Sequence, residues 1–317
     1  MNKYSFTKGL CAVAMGAVLA LGTASTVAYA SVPGGPHPHD DGTIYVVEDA
    51  LPETASFEEK YGERIPTQNL NDDQYETLDP HMAQSASFCS DATFSRRFIV
   101  NGPTTFYIAA GTTVEFQRGI TVPEGSSLTI TGEGTLIVNS LLHAGDESVG
   151  YAGIGGDPTH PNAGNITIEG VTVSSQAGAY AAGIGGGIYG RGGDITIDSS
   201  AHVTSIGGSR AAGIGGGYCG ASGKIDIKGT VDAKGGFCPC NDDQHSDLTG
   251  YVYNAPAIGS GNFYHGMRKA QVFNVTLEQG SNVTVQVPNF DHVDAIGAGF
   301  YAIDGQLHID GAVNEVK

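Results

Sequence analysis

The sequence predicts an all-β chain coiled as a right-handed parallel β-helix. Three observations carry this. An Ile-Gly motif recurs five times. An alternating apolar–polar tetrapeptide follows each copy. Glycine reaches 48 of 317 residues, roughly twice its usual share, with no collagen-like triplet period.

The strongest repeat core is Ala-Gly-Ile-Gly-Gly, at Ala152–Gly156, Ala182–Gly186 and Ala212–Gly216. Looser copies stand at Ala257–Gly261 and Ala295–Gly299. Ile154, Ile184 and Ile214 are spaced by 30 residues, and the following gaps, to Ile258 and Ile296, are 44 and 38. A fixed period of this size is the signature of a repeat architecture. The longer gaps mark inserted loops, notably around 238–250.

After each core comes a short strand pattern: Asn165-Ile-Thr-Ile, Asp194-Ile-Thr-Ile, Lys224-Ile-Asp-Ile, Asn274-Val-Thr-Leu and Gln306-Leu-His-Ile. Alternation with period two places one face in a core and one in water. A single coil cannot bury its own apolar face, but stacked coils bury a continuous one. The five isoleucines then form a ladder with one rung every ~4.8 Å. The flanking glycines allow positive φ and close backbone approach at tight corners.

Upstream, short β-rich runs at Phe98–Val100, Thr105–Ile108, Thr113–Phe116, Leu128–Ile130 and Leu136–Val138 are separated by turn signals such as Pro123-Glu-Gly. The helix is therefore expected over 98–317. Residues 31–97 are acidic and polar, begin with Pro-Gly-Gly-Pro-His-Pro-His-Asp-Asp, and read as an extended arm or cap. His37, His39, Asp40 and Asp41 have metal-ligating chemistry, against the plainer reading of a solvated linker.

Residues 1–30 read as an export signal. Lys3 and Lys8 precede an apolar run from Leu10 to Leu21, and Ala28-Tyr29-Ala30 fits a cleavage site. The expected protein is secreted, extracellular or on the cell surface, with no integral membrane association after cleavage. Removing Lys3 and Lys8 from 15 basic residues leaves 13 against 33 acids, a net charge of −20. That excludes nucleic acid and anionic membranes as expected partners, since both need clustered Lys and Arg. No cofactor is required by any motif; the acidic surface is compatible with calcium.

Four cysteines follow the signal: Cys89, Cys219, Cys238 and Cys240. An even number in an exported chain favours two disulfides. Only Pro239 separates Cys238 from Cys240, so a bond between them is strained. Each is expected to reach one of Cys89 and Cys219. A metal reading of Cys238 and Cys240 with Asp242, Asp243 and His245 is the alternative.

The Ala-Ala-Gly-Ile-Gly-Gly-Gly runs with their Gly-Gly-Asp/Lys-Ile-x-Ile sequels resemble the repeats of secreted and cell-surface β-helix proteins of Gram-positive gut bacteria. The run from Gly119 to Ile130 is similar to the first coils of such proteins. The resemblance covers about 98–317. It implies a β-helix with a carbohydrate-binding or adhesin-like role, and it brings no catalytic motif.

Aromatic residues follow the repeat cores: Tyr189, Tyr218, Phe263, Tyr264, Phe300 and Tyr301. Aligned along one exposed edge, they would offer ring faces to sugar C–H faces, so polysaccharide or host glycan is the expected partner. The competing reading is an aromatic stack that shields the glycine corner. A polysaccharide lyase or glycoside hydrolase would use acids and bases in the inserted loops, with Asp242, Asp243, His265, Arg268, Asp291 and Asp294 as candidates. A purely structural surface protein is the third alternative.

Overall fold

In the computed structural model the chain is a β-solenoid. The structure describes residues 63–64, 84–141, 149–236, 254–263, 273–286, 293–299, 302 and 305–316. Its strands form three all-parallel sheets, and each coil contributes one strand to each sheet in turn.

The first sheet stacks β1 (Glu63–Arg64), β2 (Gln84–Phe88), β5 (Pro103–Ile108), β8 (Ser127–Gly132), β11 (Asn165–Glu169), β14 (Ile195–Ile197), β17 (Lys224–Ile227), β20 (Phe273–Leu277) and β23 (Gly305–Ile309). The second stacks the two-residue strands β4 (Phe98–Ile99), β7 (Ile120–Thr121), β10 (Ile154–Gly155), β13 (Ile184–Gly185), β16 (Ile214–Gly215), β19 (Ile258–Gly259) and β22 (Ile296–Gly297). The third stacks β3 (Ala92–Phe94), β6 (Thr113–Phe116), β9 (Thr135–Asn139), β12 (Thr172–Gln176), β15 (His202–Ile206), β18 (Thr230–Lys234), β21 (Asn282–Gln286) and β24 (Ala312–Val316).

The isoleucine ladder is in register. Ile154 pairs with Ile184, Ile184 with Ile214, Ile214 with Ile258 and Ile258 with Ile296. It also runs further upstream than the repeat suggests, because Ile154 pairs with Ile120 and Ile120 with Phe98. The strands β1, β2 and β3 lie before residue 98, so the stacking starts inside the segment expected to be an arm or cap. The early core is aromatic: Phe106 stacks on Phe116 at 5.9 Å, and Phe116 on Phe94 at 4.7 Å. From Ile154 onward the core turns to Ile and Val.

The glycine after each ladder isoleucine is needed for two reasons. Gly155, Gly185, Gly215, Gly259 and Gly297 sit at φ between 130° and 138°, a region nearly closed to L side chains. In the first four, a Cβ would also run into the carbonyl of the equivalent glycine on the next rung. Buried serines close the neighbouring corner. Ser175 and Ser205 donate to the carbonyls of Gly183 and Gly213, each at 2.7 Å, so no hydroxyl is left unsatisfied there.

The last coil is open. Leu307 and Ile309, on the column that is buried in every preceding rung from Leu128 and Ile130 onward, are exposed at the end of the first sheet.

Candidate functional site

The repeat aromatics divide by their phase. Tyr189 lies five positions after its isoleucine and is 62% exposed, whereas Tyr218 lies four positions after and is 6% exposed. The Tyr189 amide donates to the Tyr218 carbonyl at 2.8 Å, so in backbone register Tyr189 matches Cys219 rather than Tyr218. Both Tyr189 and Cys219 adopt left-handed φ, 61° and 59°. One position of phase at this bend separates a ring in water from a ring in the protein.

Tyr218 lies between Tyr180 and Tyr189, with ring centroids 5.5 and 5.8 Å away. Arg210 stands over the Tyr218 ring at 5.5 Å, a cation–π distance. Phe263 is buried with Tyr218 and Cys219 in one apolar cluster. The expected continuous exposed edge is therefore corrected for these residues. Tyr218 and Phe263 pack inward over the glycine corner, and Tyr189 alone of the three shows its ring to solvent. Tyr264, Phe300 and Tyr301 lie outside the described residues.

Next to this cluster is a cleft of about 450 Å³. It runs beside the leading column of the first sheet, where Asp194, Lys224, Asn274 and Gln306 occupy equivalent positions on four successive rungs. These side chains stand ~4.8 Å apart along the coil axis. Some of them hold the next rung in place. Asp194 accepts from the Lys224 amide at 2.9 Å, and Ser222 accepts from the Asn274 amide at 3.3 Å. The cleft is completed by the exposed Arg191 and by the half-buried Phe273. Phe273 packs against both the main core and the Tyr218 cluster. Its ring lies against Gly305, where a Cβ would collide with it. Charged, amide and hydroxyl groups thus surround one aromatic ring.

The sequence carried a sign of this cleft. The first residue of each strand tetrapeptide is polar, Asn165, Asp194, Lys224, Asn274 and Gln306 in turn, so stacking the coils was bound to line up a polar column. Phe273 carried no such sign, because it precedes its tetrapeptide and breaks the repeat.

Of the catalytic candidates, Asp294 is described and is exposed. Asp242, Asp243, His265, Arg268 and Asp291 lie outside the described residues, as do Cys238, Cys240, His245 and the His37–Asp41 cluster. Among the described residues no group of three or more His, Cys, Asp or Glu is placed to hold a metal ion. Cys89 is disulfide-bonded. Cys219 is a buried thiol, which corrects its expected disulfide: the left-handed bend packs it beside Tyr218 and Phe263.

A buried polar centre lies at the seam between the aromatic coils and the glycine coils. The Arg97 guanidinium, 4% exposed, donates to the Thr121 hydroxyl, to Ser140 and to the carbonyls of Arg118, Ala152 and Gly156. Tyr151 lies over it at 5.0 Å. The Thr121 hydroxyl donates in turn to Asp157 at 2.8 Å, and Thr159 and the His160 amide also donate to Asp157. Burial pushes the pKa of Asp157 up, but these hydrogen bonds and the Arg97 charge outweigh it and hold the carboxyl below its usual range. Asp198 is likewise held low, chiefly by the Ser199 hydroxyl. A general acid needs the opposite displacement, so neither carboxyl suits that role. The Arg97 centre fastens coils together: from its own coil, one side chain satisfies carbonyls on the next two.

No family model, curated protein or solved structure matches the chain.

Proposed function

We propose that this is a secreted or cell-surface β-solenoid that binds polysaccharide or host glycan in the cleft beside Phe273, in an adhesin-like role. The observation that carries this reading is the cleft itself: one aromatic ring bordered by Asn274, Gln306, Asp194 and Lys224 on successive rungs. Sugars present apolar C–H faces, which pack on aromatic rings, and hydroxyls, which pair with amides and charged groups. The rungs hold these groups on a rigid parallel sheet, so little ordering entropy is lost on binding. The leader-like first 30 residues support export.

We assign no reaction. Hydrolysis or elimination at a sugar requires converging acids or a base, and the described cleft offers Asp194, which is engaged with a backbone amide.

A glycan array probed with the full exported chain tests the proposal. Binding should appear and be lost in an Asn274→Ala/Gln306→Ala variant that melts like the parent. A Tyr189→Ala variant reports whether the exposed ring extends the same site. Absence of binding to every glycan, or full binding by the double variant, would overturn this assignment.

A further inference from the structure

The charge of the cleft runs against that of the chain. The sequence carries 15 Lys and Arg against 33 Asp and Glu, yet Arg191 and Lys224 both line this one cleft, on neighbouring coils. Arg191 is exposed and makes no ion pair among the described residues. Lys224 is 56% exposed and lies 3.7 Å from Asp226, a surface contact that contributes little and yields readily to a better partner. Asp194 is the lining carboxylate, and one of its oxygens is committed to the Lys224 amide at 2.9 Å. Two available cations and one partly engaged anion remain.

We infer, building on the glycan-binding reading above, that the cleft selects a linear acidic polysaccharide lying along the solenoid axis. Arg191 and Lys224 pair with its carboxylate or sulfate groups, Asn274 and Gln306 meet its hydroxyls, and one ring packs on Phe273. The direction follows from the register. Asp194, Lys224, Asn274 and Gln306 form a straight column with one position per ~4.8 Å, close to the length of a single pyranose unit in an extended chain. Three such steps, about 14 Å, suit a short run of sugars. Selection for charge follows from Arg191, whose planar fork matches carboxylate or sulfate oxygens two at a time. An acidic surface elsewhere repels an acidic polymer and so confines it to this strip.

Affinity electrophoresis and calorimetry of the full exported chain test this with four probes: polygalacturonate, dextran sulfate, uncharged galactan and uncharged β-glucan, each at low and high salt. The acidic probes should bind more tightly than the neutral ones and weaken as salt rises; the ratio of polygalacturonate to dextran sulfate distinguishes carboxylate from sulfate. Arg191→Ala/Lys224→Ala, both exposed positions, should lose at least about tenfold in affinity for the acidic probes with an unchanged melting temperature. Asp194→Asn, which keeps the oxygen that accepts from Lys224, should bind them more tightly. Equal, salt-insensitive binding of neutral probes, or acidic binding unaffected by the double variant, would overturn acidic selection while leaving glycan binding standing. Binding of none of the four, with a glycan array also blank, would remove both.

Discussion

The carboxylate of Asp194 accepts the backbone amide of Lys224 at 2.9 Å, one rung along the same column. The residue that would meet a ligand on one coil thus also seats the strand of the next. Asp194→Ala should cost about 1 kcal/mol, the ordinary net value of one such hydrogen bond, and Asp194→Asn should cost less because it keeps the acceptor. Thermal melts of the two variants check this; equal losses would mean that charge rather than the hydrogen bond matters there.

The isoleucine ladder makes the sharpest stability prediction. Ile214 is fully buried between Ile184 and Ile258. Ile214→Asp places an uncompensated charge in that column and should abolish recovery of folded protein. Ile214→Val should cost about 1 kcal/mol. Soluble, cooperatively melting Asp protein would refute the ladder.

Glycines of similar handedness should differ widely in tolerance. Gly215 has φ 130° and a Cβ there would strike the Gly259 carbonyl, whereas Gly111 has φ 75° and open space around it. Gly111→Ala should cost only the backbone term, about 1–2 kcal/mol. Gly215→Ala adds a backbone collision and should prevent the following coil from seating. Limited proteolysis, read as protection of the region beyond residue 215, separates the two.

The two tyrosines of the corner should part in the same manner. Tyr218→Ala removes a buried ring and should cost about 3 kcal/mol or more. Tyr189→Ala should fall within about 0.5 kcal/mol of the parent, as exposed positions usually do. Equal costs would mean that Tyr189 is covered in solution.

Acid should loosen the seam at Arg97. Asp157 is held below its usual range in the folded chain, so its contribution is present above the unfolded value and is lost as pH falls through the lower, folded one. Asp157→Asn should destabilise the neutral protein by about 1–3 kcal/mol, because it weakens the buried hydrogen bonds from Thr121, Thr159 and the His160 amide and removes a charge that favours Arg97. It should also flatten the melting temperature between mildly acidic and strongly acidic buffer. A parent-like acid profile in the Asn variant would place that dependence on other groups.

The sequence by itself determined the period, the all-β class and the register. Ile154, Ile184 and Ile214 recur with glycine at the next position, and a buried column with a Cβ-intolerant neighbour admits few other arrangements. It did not reveal that Phe98 and Ile120 continue the ladder, since neither carries the Gly-rich flank. It also could not tell Tyr189 from Tyr218. Spacings of four and five after an isoleucine look alike in one dimension, but a left-handed bend at the fifth position turns one ring outward and the other inward. The same holds for the cleft. Arg191, Asp194, Lys224, Phe273 and Gln306 are scattered over more than a hundred residues of sequence. Only the stacking of coils, which converts a separation of 30 residues or more into one inter-strand step, brings them to one face.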